Sequence, residues 1–418
     1  MPELSPTNAG YGDGLTGSRR RILLLTLTMT SSLGMVASTI YVPSIPAIAS
    51  AFETSIPRVQ LSFVGYLLAF AASMLVLGPL SDRYGRRRTI LFGLGVSALS
   101  SVACTLSPTV EFLIGARVVQ GIGACAGLVV GRAVTRELWG REAAAQVIAG
   151  RAIAATLMQA FAPVVGGYLQ GWFGWRSNFA FIAVLAGMAM VLVLRYIPGE
   201  RQQVLSGLPL RGILESYQTL IKTPRFMSYA FTAAGSHAGF HIFAAGAPAV
   251  LIVGFGVRPE EYGFYASLPP FGFLVGSFLS NRLTQRLGID GLIAIGSMVV
   301  IPAGAIMVVL ALLGIASPYA VIGPMILICC SSGLITPNAT AGSLGVKAGI
   351  VGTASGLGSF MQMTGAAGAT AALSLGPSGS PLMLAGVIAL AGLFAVTAFG
   401  SLIQFEQRPL RTAANALA

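Results

Sequence analysis

Gly78-Pro79-Leu80-Ser81-Asp82-Arg83-Tyr84-Gly85-Arg86-Arg87-Arg88 packs five charged residues into eleven positions of a chain that is only 9% charged. Apolar segments flank it, at 58 to 79 and 89 to 107, so the run reads as a tight turn between two membrane-crossing helices. A glycine at 78 allows close approach of helix backbones, and Asp82 suits a positive helix N-terminus. Arg83, Arg86 and Arg87 pair with that carboxylate or hold the turn inside. An ordinary positive-inside turn explains the arginines but not the Gly-x-x-x-Asp-Arg-x-Gly spacing.

Working outward, the chain has 418 residues, 55% of them hydrophobic, and so little charge cannot cover a water-facing surface. An integral membrane protein follows. Twelve spans of roughly 20 residues need about 240, which leaves short loops and no room for a large soluble domain or an ordinary enzyme. The apolar segments run 22–44, 58–79, 89–107, 110–135, 143–170 and 177–197, then 226–253, 261–281, 290–313, 318–343, 350–375 and 382–404. The predicted organisation is a cytoplasmic tail (1–21), a six-helix half (22–197), a cytoplasmic linker (198–225), a second six-helix half (226–404) and a cytoplasmic tail (405–418). The run from Ile22 is too long for a signal peptide and reads as a retained span.

The net charge of +12 would suggest nucleic acid in a soluble chain. Here the basic residues are scattered one loop at a time instead of forming a contiguous face with stacking aromatics, which excludes that class. They mark topology instead: nearly all fall in the loops that an even span count places inside, and only Arg58, Arg176 and Arg258 fall outside. The four cysteines lie within apolar stretches and read as helix-packing residues, not disulfides. An offset of 199 residues places Asp82-Arg83 on Asn281-Arg282, Arg87 on Arg286 and Gly166 on Gly365. Duplicated halves are a transporter signature, with the solute path between them.

The Asp82 turn resembles the signature loop of the major facilitator superfamily. Leu113-Ile-Gly-Ala-Arg117-Val-Val-Gln120-Gly121 resembles that superfamily's second motif, which carries a buried arginine. Ala162-Pro163-Val-Val-Gly166-Gly167 resembles, in part, its antiporter motif, with Ala162 and Gln159 at positions usually held by glycine. Ile40-Tyr41-Val-Pro43-Ser-Ile-Pro46, Arg132-Ala-Val-Thr-Arg136-Glu137, Pro337-Asn338-Ala-Thr and Gly352-Thr-Ala-Ser are similar to the bicyclomycin-resistance (Bcr/CflA) branch of drug:proton antiporters. The resemblance implies an all-α fold of twelve transmembrane helices in two pseudo-symmetric halves, and export. One departure matters: the branch usually has an aspartate in the first helix where this chain has Thr39.

Charge inside a membrane is costly, so the intramembrane polar residues are the candidates for function. Arg117 reads either as a tie to backbone carbonyls or as part of the conformational cycle or solute site, while Arg151 is expected to snorkel to the interface. Thr39, Tyr41, Arg117, Gln120, Gln159, Asn338 and Gln362 are the candidate cavity residues, because uncharged polar groups within spans usually face protein or water. His237 and His241 lie one turn apart on the seventh helix, with His237 near the midplane. With Glu111 at an outer helix mouth they are the candidates for proton coupling, since imidazole titrates near neutral pH. No carboxylate or cysteine on that helix completes a metal site, and no cofactor is expected. Without a P-loop, ATP does not power the cycle.

The sequence therefore predicts a monomeric, bacterial inner-membrane secondary transporter that exports small amphipathic compounds, with protons as counter-substrate. Uptake or exchange of a small anionic metabolite is the rival within transport. A receptor or sensor is the rival outside it, disfavoured by the duplicated halves.

Overall fold

The computed structural model describes residues 17–197, 210–346 and 350–417, and helix is its only regular structure among them. The helices are α1 (Gly17–Thr39), α2 (Ile45–Ala51), α3 (Ile56–Tyr84), α4 (Arg86–Thr105), α5 (Val110–Ala124), α6 (Ala126–Phe173), α7 (Arg176–Tyr196), α8 (Leu210–Ile221), α9 (Pro224–Pro248), α10 (Pro259–Leu312), α11 (Pro318–Leu344), α12 (Val351–Leu373) and α13 (Pro381–Leu417). An apolar solvent leaves no alternative partner for backbone N–H and C=O groups, so a chain this hydrophobic satisfies them within each helix. Ten stretches of described helix are long and apolar enough to cross a membrane.

One of the ten, α10, is 54 residues long, which at about 1.5 Å per residue far exceeds a 30 Å hydrocarbon core. It breaks at Gly288, whose φ of 69° and ψ of 175° are open to glycine and strained for any side chain. The two predicted spans at 261–281 and 290–313 are the two limbs of this element.

Several predicted boundaries move. The first helix starts inside the predicted tail, at Gly17, and stops at Thr39, because Pro43 and Pro46 force a turn and a new helix at Ile45. The predicted linker carries a helix of its own, α8, whose Leu220 is buried in a cluster with Phe226, Ala354 and Leu357. The predicted C-terminal tail continues α13 to Leu417. The predicted segment 198–209 lies outside the described residues.

The halves meet through α3 against α12 and α6 against α10. Under the 199-residue offset α3 corresponds to the first limb of α10, and the later part of α6 to α12, so these are one contact repeated about a pseudo-twofold axis. Small residues make it close. A Cβ on Gly167 would lie 2.3 Å from the carbonyl oxygen of Pro259, and one on Gly263 would lie 2.7 Å from that of Pro163. Within the first half, a Cβ on Gly166 would lie 1.7 Å from the carbonyl of Ile40.

These contacts gather at one end of the bundle, which also holds Tyr41; the Asp82 turn lies at the other. At the Asp82 end the expected close approach at Gly78 is not present: a Cβ there meets nothing within 4 Å, and the same holds at Gly352. Close glycine approaches thus join the halves at the Tyr41 end, and Gly78 and Gly352 make none at the Asp82 end.

Gly166→Ala is expected to cost about 1–3 kcal/mol, since backbone must move to admit the methyl. Gly78→Ala should leave stability within about 0.5 kcal/mol of wild type. Thermal unfolding of the two variants in detergent checks the contrast, and equal effects would contradict it.

Candidate functional site

The Asp82 turn is built where α3 ends and α4 begins. Gly85 joins them at φ 97°, a conformation that side chains rarely adopt. Asp82 is 41% exposed and forms an ion pair with Arg86 one turn on. Arg86 also reaches Ser81 and, at 2.9 Å, Glu137 of α6. One guanidinium thus ties α3, α4 and α6 together. Arg87 donates to the carbonyl of Leu194 at the end of α7, and Arg83 lies over the ring of Tyr84 with its carbon 5.4 Å from the centroid. Of the three arginines expected to meet Asp82, Arg86 does.

Deeper in the first half, Arg117 of α5 is fully buried. Its Nη1 donates to the carbonyl of Ala37 at 3.1 Å and to Gln120, whose amide passes the chain on to Ser101 at 2.6 Å. Its guanidinium lies over the rings of Tyr66 and Tyr41, 4.1 and 4.4 Å from their centroids. Two electron-rich faces replace the counter-anion that the site lacks. Tyr66 in turn donates to the carbonyl of Gly34, and Tyr41 bonds Ser62.

Arg151 corrects its expectation of snorkelling. It is 7% exposed and points inward, donating to the carbonyls of Gly131 at 2.9 Å and Leu27 at 2.8 Å and to Thr135 and Ser31. Carbonyls left accessible beside small residues give it neutral acceptors, so it need not reach for water. A Cβ on Gly131 would lie 2.8 Å from its Nη2.

The seven predicted cavity residues do not form one surface in this structure. Thr39 bonds back to Met35 in its own helix at 3.2 Å, and Asn338 joins α11 to α10 through Ser280 at 2.7 Å. With Tyr41, Arg117 and Gln120 they are enclosed by packing within a half, because helix association in an apolar medium uses polar side chains as interhelical glue. Gln159 and Gln362 are half-buried, and Gln362 donates to Thr340 at 3.3 Å. Glu111 is exposed and pairs with Arg58 at 2.7 Å.

His237 and His241 stack one turn apart on α9, ring centroids 4.7 Å from each other. His241 is buried and faces Phe63 of the first half, 6.2 Å between centroids; its Nδ1 lies 3.4 Å from the carbonyl of His237. His237 Nε2 is buried with no hydrogen-bond partner. Among the described residues no group of three or more His, Cys, Asp or Glu side chains assembles to hold a metal. The histidines therefore sit at the seam between halves, immediately below its closed end.

Sequence reasoning passed over Gln60. Its side chain is buried in that seam, donating to the carbonyl of Ala245 at 2.9 Å and accepting from Ser374 at 3.3 Å. A polar residue near the start of a predicted span carried a signal, but its partner, a backbone carbonyl 185 residues away, carried none. Pro163 and Gly167 line the same seam from α6, while Gly166 packs on Ile40 within the first half.

A bundle of membrane-length helices in two repeated halves, joined by close glycine contacts at one end, defines a polytopic membrane protein. The Major Facilitator Superfamily profile matches residues 27–370, and the chain belongs to that family. It is 28% identical over 352 residues to multidrug resistance protein D of Escherichia coli (strain K12), covering 84% of this chain and 88% of that one. It is likewise 28% identical over 344 residues to a bicyclomycin resistance protein homolog of Haemophilus influenzae, covering 80% and 84%. Among solved structures, a bacterial homolog of the human lysosomal transporter Spinster superposes with a TM-score of 0.73 at 15% identity, covering 94% and 98%. The protein is thus a multi-pass membrane transporter with drug-resistance relatives.

Asp82→Asn is expected to slow transport at least about tenfold, because Arg86 loses its charged acceptor on α3 and keeps only that on α6, Glu137, while binding of a fluorescent solute stays within about twofold. Flux and equilibrium binding on the same purified protein check this. Wild-type turnover in a folded variant would remove Asp82 from the cycle.

Proposed function

We propose that the protein exports small amphipathic organic compounds from the bacterial cytoplasm by alternating access, in exchange for protons. The observation that carries this reading is the asymmetry of the glycine contacts: Gly167 and Gly263 bring the halves together at the Tyr41 end, whereas Gly78 and Gly352 meet nothing within 4 Å at the Asp82 end. Arginines in the loops of the Asp82 end assign that end to the cytoplasm, which puts both termini inside and gives twelve spans, with α10 counted as two and α12 as one. The state is then open inward, ready to load from the cytoplasm or its leaflet. The resistance names of the relatives support export, and the protein acts as a monomer, since both halves of the path lie in one chain.

The first-helix carboxylate is absent, so protons need another carrier. His237 and His241 supply it: they are titratable, His241 is buried at the seam against Phe63 with half-buried His237 one turn away, and they would become accessible to the outside when the Tyr41 end opens. Glu111 is less suited, because its pair with Arg58 is exposed outside the seam. The rival reading, uptake or exchange of an anionic metabolite, draws on Arg117 and Arg151, two buried cations with no buried carboxylate among the described residues.

Purified protein in liposomes tests the proposal. A gradient of pH should accelerate flux of neutral amphipathic drugs, and His237→Gln with His241→Gln should abolish that acceleration while downhill exchange remains measurable. Full gradient-driven accumulation by the double variant would exclude the histidines from coupling. Charge selectivity follows from the same interior: a quaternary ammonium dye should be transported at least about tenfold less efficiently than a neutral analogue of similar size, since the buried charge is positive throughout. Better transport of the cation would contradict it.

A further inference from the structure

We propose that Gln60 is the latch of the outer gate, holding three helices of both halves in the closed position. The inference rests on the alternating-access reading above and names the bond that the cycle must break. Gln60 lies one turn into α3 and is 4% exposed. Its amide nitrogen donates to Ala245 of α9 at 2.9 Å, and its carbonyl accepts from Ser374, at the end of α12, at 3.3 Å. A primary amide donates from its nitrogen and accepts at its oxygen, so one side chain serves both partners.

The acceptor exists because α9 ends there. Pro248 has no amide to give, and the amide of Ala249 donates to Gly246 instead of to Ala245 four residues back. The Ala245 carbonyl is therefore available to a side chain from the other half. One turn deeper on the same two helices, Phe63 meets His241, so the polar latch and the apolar contact form one continuous strip. Around it the seam is made by backbone and small residues, Gly167 against Pro259 and Gly263 against Pro163. Shape alone makes that contact reversible; Gln60 adds directed bonds that exist only when it is closed. Opening exposes both partners to water, which then pairs them, so the latch costs little to release.

The test uses the full chain in nanodiscs, with spin labels on a Glu53→Cys, Ser378→Cys pair at the outer end and a Tyr84→Cys, Leu287→Cys pair at the inner end. Pulsed dipolar spectroscopy reads the distances, with the four native cysteines replaced by alanine. Gln60→Ala should raise the population with a long outer and a short inner distance about tenfold, and Ser374→Ala about threefold, in proportion to buried hydrogen bonds lost. Gln60→Leu keeps the volume without the bonds and should match Gln60→Ala, which separates the latch from a packing defect. Outer widening without inner shortening would mean local fraying and overturn the proposal. A wild type that exchanges between both states while Gln60→Ala matches it sinks the latch alone. A wild type that transports with one fixed distance at each end sinks alternating access and the latch with it.

Discussion

Inside a bilayer no water waits to pair a stranded polar group, and this constraint shapes every level of the structure. It makes the chain helical, because a helix pairs its own backbone. It then decides how helices meet: without a hydrophobic drive between them, they associate by close backbone approach at small residues and by polar side chains reaching carbonyls. Gly166 against Ile40, and Gln60 against Ala245, are the two forms of that solution. Arg117 and Arg151 obey it too, the first taking aromatic faces and the second a ring of neutral oxygens.

The same constraint explains why a seam of glycines is useful to a carrier. Packing between halves that relied on interlocked large side chains would be strong and hard to part. Contact between a glycine and a carbonyl is close in distance but small in area, and it leaves few side chains to rearrange when it opens. The tight approaches at Gly166 and Gly127 lie within the first half, whereas those at Gly167 and Gly263 lie between halves and, in the proposed cycle, must separate. Identical chemistry serves both purposes; the topology decides which contact is permanent.

Much of this was legible in the sequence and some was not, for identifiable reasons. Span positions, the repeat and the Asp82 turn all follow from local composition and spacing, which are properties of contiguous residues. The break at Gly288 was legible only as a loop between spans, because a single positive φ leaves no periodic trace. Candidate cavity residues were misjudged in one respect: polar character within a span identifies a residue that avoids lipid, but packing between helices satisfies that as well as a cavity does. Thr39 and Asn338 took the first route. Arg151 was misjudged because snorkelling is read from depth alone, while its true acceptors come from α1 and α6, far along the chain.

The two halves share a framework and differ in what they hold. Both buried arginines among the described residues lie in the first half, on α5 and α6; both histidines lie in the second, on α9. Duplication supplied equivalent helices, and the contacts of α3 with α12 and of α6 with α10 keep that symmetry. The polar content does not. The first half thus encloses positive charge and the second a histidine pair, with no buried carboxylate among the described residues of either. In the proton exchange proposed above, protonating an imidazole would add a cation to an interior that has no buried carboxylate among the described residues, and opening of the Tyr41 end to water would relieve it.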